Sequence, residues 1–208
     1  MAFDIYLISP PIRDAEAFRP LLASAMAALS PASLLLDVPA GDERAQINLI
    51  KTFAPLVQEA GVAILVNTPA HVAVRGGADG VHVASPLLVR ETRDILKTER
   101  IIGVGGLTSR DDAMDAGEAG ADYVMFGEPR ADGSLMTLSQ LVDRSSWWAE
   151  VFQIPCVAYA ASVDAVEAIA MSRAEFVALG PWCFEDPAKA AEAVAKARQS
   201  LAKSKQPA

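Results

Sequence analysis

Short apolar runs alternate along the chain with longer segments in which apolar residues recur every three or four positions. Most of the short runs are apolar throughout, which is typical of parallel strands buried on both faces. A segment that we interpret as a helix follows each run, so the chain is built of repeated strand–helix units. The pattern predicts eight strands, at Phe3–Ser9, Ser33–Val38, Val62–Asn67, Gly80–Ala84, Ile101–Val104, Tyr123–Gly127, Cys156–Tyr159 and Phe176–Leu179.

The clearest predicted helix covers residues 42–60. Asp42 is a favourable N-terminal cap, and Gly61 follows at the position where chains commonly leave a helix in a left-handed conformation. The last helix begins in a similar way, because Asp186 precedes a proline that suits the first helical position. This helix is predicted to run to about Ala202.

Eight strand–helix units in 208 residues favour a closed (β/α)8 barrel close to its lower size limit. We therefore predict an α/β fold, a compact single-domain (β/α)8 TIM barrel that occupies residues 1–208. Residues 3–202 are expected to be ordered and 203–208 to form a frayed tail. A doubly wound open sheet is the alternative, but the even spacing of the units suits closure better.

Two similar segments, residues 76–81 and 119–124, place a helix end, a tight turn and an aspartate directly before a strand. One physical task explains both, because each must stop a helix and return the chain to the barrel. We interpret them as corners on the stability face, opposite the face that carries active sites in such barrels.

Composition narrows the classes of partner. The 18 Lys and Arg residues against 26 Asp and Glu give a net charge of −8, which disfavours nucleic acid and anionic membranes as partners. Hydrophobic residues make up 52%, enough for a sizeable core. Two cysteines cannot form a disulfide framework and favour the cytoplasm. We expect a small-molecule ligand, with a homo-oligomer left open.

Candidate chemistry lies at the carboxyl ends of the strands, where barrel active sites are built. His82 is either a general acid or base, or a core histidine held by a neighbour. Glu128 and Arg130 share a face of an extended segment and form either a salt bridge or, through Arg130, an anion contact. The cysteines are not at metal-ligand spacing, so no metal site is predicted. The catalytic candidates are His82 and Glu128, and the substrate-binding candidates are Asn67, Arg130, Asp37, Gly105, Tyr159 and Gly180.

Four motifs in order resemble the thiamine-phosphate synthase and TenI-like family. They are Ala60–Asn67, Gly77–His82, Ile101–Val104 and Gly120–Gly127. The resemblance covers about residues 3–190 and is strongest over 60–127. It implies a compact barrel that joins a hydroxymethylpyrimidine diphosphate to a thiazole phosphate, with Mg²⁺ as cofactor.

The chain departs from the family pattern at most positions that bind diphosphate, magnesium or thiazole phosphate. Asn67 and His82 are retained. The carboxylates that hold magnesium in the family are absent, and so is the histidine implied for the tautomerase. The replaced stretches are Leu34–Val38, Thr68, Ala84–Leu87, Gly105–Leu107, Glu128–Gly133, Ala160–Ala161 and Gly180–Pro181.

Three hypotheses about function follow. In the first, the chain is a divergent thiamine-phosphate synthase-like protein in which Arg130 binds phosphate, Asn67 binds the pyrimidine, and Glu128 or Asp37 replaces a missing metal ligand. In the second, it is a non-catalytic or altered-specificity barrel that binds a small heteroaromatic ligand. In the third, it is a TenI-like thiazole tautomerase that uses His82 or Glu128 to move a proton.

Overall fold

The protein is a closed barrel of eight parallel strands, taken in sequence order around the barrel. The computed structural model describes residues 3–130 and 132–204. The eighth strand pairs with the first, from Phe176 beside Asp4 to Leu179 beside Leu7. The predicted barrel is confirmed, and the open sheet is wrong. The strands are β1 (Asp4–Ile8), β2 (Ser33–Leu36), β3 (Ala63–Val66), β4 (Gly80–Val83), β5 (Ile101–Val104), β6 (Tyr123–Phe126), β7 (Cys156–Ala160) and β8 (Phe176–Leu179).

A ring of helices surrounds the strands. Asp42 caps the second helix through its side chain, and Asp186 caps the last one, as predicted. Lys203 is still helical, and residues 205–208 of the predicted tail lie outside the described residues. No helix among residues 3–130 and 132–204 has the length and apolar character needed to cross a membrane. The helices are α1 (Ala15–Leu29), α2 (Glu43–Glu59), α3 (Ala70–Gly76), α4 (Val89–Leu96), α5 (Arg110–Glu118), α6 (Leu138–Val151), α7 (Val166–Ala170) and α8 (Pro187–Lys203).

The strands separate two hydrophobic cores because successive side chains point to opposite faces. On β1, Ile5 and Leu7 face outward and join the large core beneath the helices. Tyr6 faces inward and joins a small core inside the barrel. The inner core closes the barrel and forms the floor below its mouth. Its buried members are Tyr6, Leu35, Leu65, Tyr123, Met125, Val157, Tyr159 and Ala178.

The two predicted corners tie neighbouring strands together. Asp79 accepts a hydrogen bond of 2.8 Å from the Ile64 backbone N–H, and Asp122 accepts one of 2.7 Å from that of Ile102. The turns before them use Gly77 at φ 85° and Gly120 at φ 101°, which residues with side chains rarely adopt. These motifs therefore hold the barrel closed at the face away from its mouth.

Candidate functional site

A chain of hydrogen bonds rises from the inner core to the mouth of the barrel. The Tyr6 and Tyr123 hydroxyls are 2.7 Å apart. His82 Nδ1 lies 2.9 Å from the Tyr123 hydroxyl, and His82 Nε2 lies 3.0 Å from Glu128 Oε1. These four side chains come from β1, β4, β6 and the segment after β6, so only the closed barrel brings them together.

The chemistry of the groups sets the direction of this chain. Burial raises the pKa of both Tyr6 and Tyr123, so both hydroxyls keep their protons. An ionised Glu128 can only accept, which makes His82 Nε2 the donor to it. Nδ1 of a neutral His82 ring then accepts from Tyr123, and Tyr123 accepts from Tyr6. The hydroxyls of Tyr6 and Tyr123 and both ring nitrogens of His82 thereby each have a hydrogen-bond partner, and Glu128 lies at the outer end of the series.

Gly103 on β5 and Gly105 directly after it make room for these hydrogen-bonded side chains. A Cβ at Gly103 would overlap the Tyr123 ring. A Cβ at Gly105 would overlap Glu128 Oε2 and lie 2.7 Å from His82 Nε2. Gly105 packs directly against the His82–Glu128 pair, and a contact between Gly105 and substrate stays a prediction.

Beside the pair lies a cavity of about 460 Å³ at the barrel mouth. The Glu128 side chain is 20% exposed and the His82 side chain 5%, so Glu128 is the member that reaches solvent. Arg130 lies on the wall of the same cavity and is exposed. The predicted alternative of a Glu128–Arg130 salt bridge is not formed, because Glu128 pairs with His82 instead. The cavity is lined by Ala84, Gly106, Leu107, Thr108, Met125, Gly127, Glu128, Pro129, Arg130, Asp132 and Met136.

Asp37 and Asn67 form a second polar pair at the ends of β2 and β3. Asn67 Nδ2 donates to Asp37 Oδ1 at 2.7 Å, and Asn67 Oδ1 accepts from the Val38 backbone N–H at 2.8 Å. Burial raises the pKa of the Asp37 carboxyl, and the hydrogen bond from Asn67 opposes that rise. Asn67 thus joins two neighbouring loops, and substrate binding by either residue stays a prediction.

Tyr159 and Gly180, also predicted to bind substrate, lie against each other on the inner wall. The Tyr159 hydroxyl is 2.5 Å from the place that a Gly180 Cβ would occupy. Burial raises the pKa of Tyr159, and the negative charge of Glu128 raises it further, so the tyrosine stays neutral. A direct role in substrate contact stays a prediction for both.

The donor set does not fit the magnesium site that the family resemblance implies. Among residues 3–130 and 132–204, no three His, Cys, Asp or Glu side chains are grouped closely enough to hold a metal ion. The carboxylates of Asp37 and Glu128 lie at the mouth, but each belongs to a separate hydrogen-bonded pair. We therefore derive no step through a metal ion. Cys156 and Cys183 are both buried free thiols.

Sequence reasoning missed the two tyrosines below His82 and two arginines near the cavity. Tyr6 and Tyr123 lie within apolar strands and appeared to be ordinary core residues. Arg110 and Arg144 lie on helices, where charged residues are usually solvated. Gly103 and Gly105 were the available signal, because a glycine within or directly after a barrel strand marks a site where another group approaches the backbone closely.

Comparison with known proteins agrees with the fold and with the family resemblance. The sequence model of the family described as "Thiamine monophosphate synthase" matches residues 5–181. The structure is similar to a thiamine phosphate pyrophosphorylase from Pyrococcus furiosus, with a TM-score of 0.75 over 96% of each chain and 22% identity. That likeness supports the barrel fold.

Two curated relatives match over almost their whole length. A thiamine-phosphate synthase from Rhodospirillum centenum is 36% identical over 92% of this chain and 94% of the relative. Another from Hyphomonas neptunium is 35% identical over 95% of each. With the barrel, the motif order and both relatives in agreement, this chain belongs to the thiamine monophosphate synthase family.

Proposed function

We propose that this chain acts in thiamine biosynthesis and joins a hydroxymethylpyrimidine diphosphate to a thiazole phosphate at the barrel mouth. The observation that carries the proposal is the 36% identity to a thiamine-phosphate synthase over 92% of the chain. The cavity beside Glu128 and Arg130 supports it, because it offers an anion contact and a hydrogen-bond acceptor within one space. A cytoplasmic location is part of the proposal and rests on the cysteine content.

The residues of the mouth have distinct tasks in this proposal. Arg130 binds a phosphate group by charge-assisted hydrogen bonds. Asn67 faces the pyrimidine, whose ring nitrogens and amine match an amide. Glu128, oriented by His82, accepts a hydrogen bond or a proton from the ligand. The residues that bind the diphosphate in the family are replaced here. Arg130 must therefore neutralise part of the negative charge that develops on the diphosphate leaving group.

A direct assay tests this proposal. The purified chain is incubated with both phosphorylated precursors and magnesium, and thiamine phosphate is measured by fluorescence after oxidation. Formation of thiamine phosphate that falls at least tenfold in Arg130→Gln is the expected result. No product, together with no calorimetric binding of either precursor, would exclude the synthase function.

A second candidate is proton transfer on a thiazole phosphate, as in the TenI-like tautomerases. The specific observation that favours it is the 3.0 Å contact between His82 Nε2 and Glu128 Oε1 at the cavity wall. A carboxylate held by a histidine is suited to take up and return one proton. Exchange of deuterium from solvent into thiazole phosphate measures this activity directly, and a rate equal to that of buffer alone would dismiss it.

The remaining hypothesis, a barrel that binds a neutral heteroaromatic ligand, loses part of its basis. It depends on four apolar residues that the sequence places near the mouth, Leu35, Leu36, Leu107 and Trp182. Leu35 belongs to the inner core of the barrel. Leu36 belongs to the core beneath the helices, and Trp182 packs against that same core. Leu107 does line the cavity. In a thermal-shift screen, stabilisation by neutral ligands alone would restore this hypothesis.

A further inference from the structure

Three arginines come from the segments that follow β5 and β6, the two strands beside the mouth cavity. Arg130 lies on the wall of this cavity. Arg144, from α6, donates at 3.4 Å to the backbone carbonyl of Leu107, a residue that lines the cavity. The Arg110 guanidinium, from the start of α5, stacks on the Trp147 ring at 4.4 Å from its centre. A stacked guanidinium keeps the N–H groups at its edge available for an anion.

The charges of these arginines affect one another. Burial lowers the pKa of Arg144, the positive charges of Arg110 and Arg130 lower it further, and the negative charge of Asp112 raises it. A bound anion would reduce the unfavourable interaction between like charges. In the described part of the chain, the five ion pairs involve other residues and leave these three arginines without a carboxylate partner.

The nearby carboxylates accept hydrogen bonds from backbone N–H groups. Asp112 Oδ2 accepts hydrogen bonds from the backbone N–H groups of Thr108 and Ser109, at 2.8 and 2.9 Å. Asp132 Oδ1 accepts from the backbone N–H of Ser134 at 2.9 Å. Each carboxylate therefore shapes a loop of the cavity rim and does not bridge to an arginine.

We propose that Arg130 and Arg144, supported by Arg110, form an anion subsite that binds the phosphate group of a phosphorylated heteroaromatic ligand in the mouth cavity. The proposal deepens the proposed function and rests on its premise that the ligand is phosphorylated. It places the phosphate between α5 and α6, on the β5–β6 side of the barrel. The replaced stretches on β2 and after β7 and β8 then need not bind it. The ring of the ligand would extend from this edge toward Glu128.

Calorimetry on the full chain tests the subsite without requiring turnover. The probes are inorganic phosphate, pyrophosphate, thiazole phosphate and the corresponding thiazole alcohol. We expect thiazole phosphate to bind more tightly than the alcohol. Arg130→Gln and Arg144→Gln should each weaken the binding of the phosphorylated probes about tenfold, as expected for loss of a charge-assisted hydrogen bond. The affinity for the alcohol should not change.

Two further variants separate the subsite from simpler effects. Arg19→Gln makes the same change in charge at an exposed position on α1 and should leave phosphate binding unchanged. Arg144→Lys keeps the charge of a partly buried residue but removes the planar fork, so it should lose less affinity than Arg144→Gln.

The outcomes are distinct from those of the synthase assay. Absence of phosphate binding by the wild type, or unchanged binding in the Arg130→Gln/Arg144→Gln double variant, would overturn the subsite. Equal losses for thiazole phosphate and for the alcohol would overturn it as well. Arginine-dependent phosphate binding without formation of thiamine phosphate would support the subsite and reject the synthase function.

Discussion

Gly105 has no side chain, and this is what lets His82 and Glu128 meet at the mouth. Its backbone lies where a Cβ would overlap Glu128 Oε2. Gly103 does the same for the Tyr123 ring one layer below. At the scale of single residues, the candidate site therefore depends on two absent side chains as much as on the polar groups themselves.

Gly105→Ala should separate the His82–Glu128 pair without unfolding the barrel. Glu128 must move away from the new methyl group, and a base loses its effect when it is displaced by about an ångström. We expect about a hundredfold loss in whichever of the two proposed activities the chain shows, measured as initial rate.

Gly41→Ala is the matched control for this substitution, because a Cβ at Gly41 has nothing within 4 Å. It should keep full activity. Full activity in Gly105→Ala as well would mean that the pair takes no part in the reaction.

Asp37→Asn should stabilise the protein at pH 7. Burial raises the pKa of Asp37 above its value of about 4 in the unfolded chain. The stability linked to its protonated form is complete below pH 4 and is lost as the pH rises through the folded-state pKa. An asparagine stays neutral, and its side-chain oxygen still accepts a hydrogen bond from Asn67. The folded variant therefore does not have to bury an ionised carboxylate at this position.

Urea denaturation at pH 7 and at pH 3 measures the effect. The variant should unfold at higher urea than the wild type at pH 7, and the difference should shrink at pH 3, where Asp37 is protonated. Asp143→Asn, at an exposed position on α6, serves as control. A gain for Asp37→Asn that is equal at both pH values would contradict the assignment.

At the scale of elements, α5 illustrates how the rim of the mouth is built. The helix has only nine residues and begins with a capping box between Ser109 and Asp112. Ser109 accepts from the Asp112 N–H at 3.0 Å, and Asp112 accepts from the Ser109 N–H at 2.9 Å. Local chemistry of this kind is readable from sequence, since a serine followed three residues later by an acidic residue is a helix-start signal.

Ser109→Ala should destabilise the protein by about 1 kcal/mol, the usual effect of removing a helix cap. Ser162→Ala is a close control, because Ser162 also stands at an N-cap position but makes no side-chain capping hydrogen bond. Thermal unfolding followed by circular dichroism compares the two variants. A loss of stability in Ser162→Ala as large as that in Ser109→Ala would show that the cap is not the cause.

The motifs that carry the family resemblance also belong to the element scale. Gly77–His82 and Gly120–Gly127 contain the corners in which Asp79 and Asp122 bind the backbone of neighbouring strands. These motifs are needed to hold any such barrel closed. Their retention indicates the barrel fold and membership of the family.

At the scale of the whole molecule, closure of the barrel brings the two ends of the described chain together. β8 pairs with β1, and α8 packs on α1. The Arg198 guanidinium lies 5.5 Å from the centre of the Phe3 ring, near the start of the described residues. Both ends therefore lie at the face away from the mouth.

A circular permutant should keep the fold. A linker joins the two ends, and the new termini are placed between Ala40 and Gly41, which are both exposed. We expect a monodisperse barrel with cooperative unfolding, measured by sedimentation and circular dichroism.

A variant that lacks residues 172–204 should instead aggregate, because it leaves the edges of β1 and β7 unpaired. A soluble, cooperatively folded truncated chain would contradict this account of closure.

The sequence by itself determined the barrel. Each apolar run, cap and corner is a local signal, and eight such units in succession leave few ways to bury both faces of every strand. Only the tertiary structure decided which polar residues meet. Glu128 and His82 are 46 positions apart, and Arg144 and Leu107 are 37 apart. Such contacts depend on strand order, stagger and the space left by glycines, which local periodicity does not encode. The same reason explains why Asp37 pairs with Asn67.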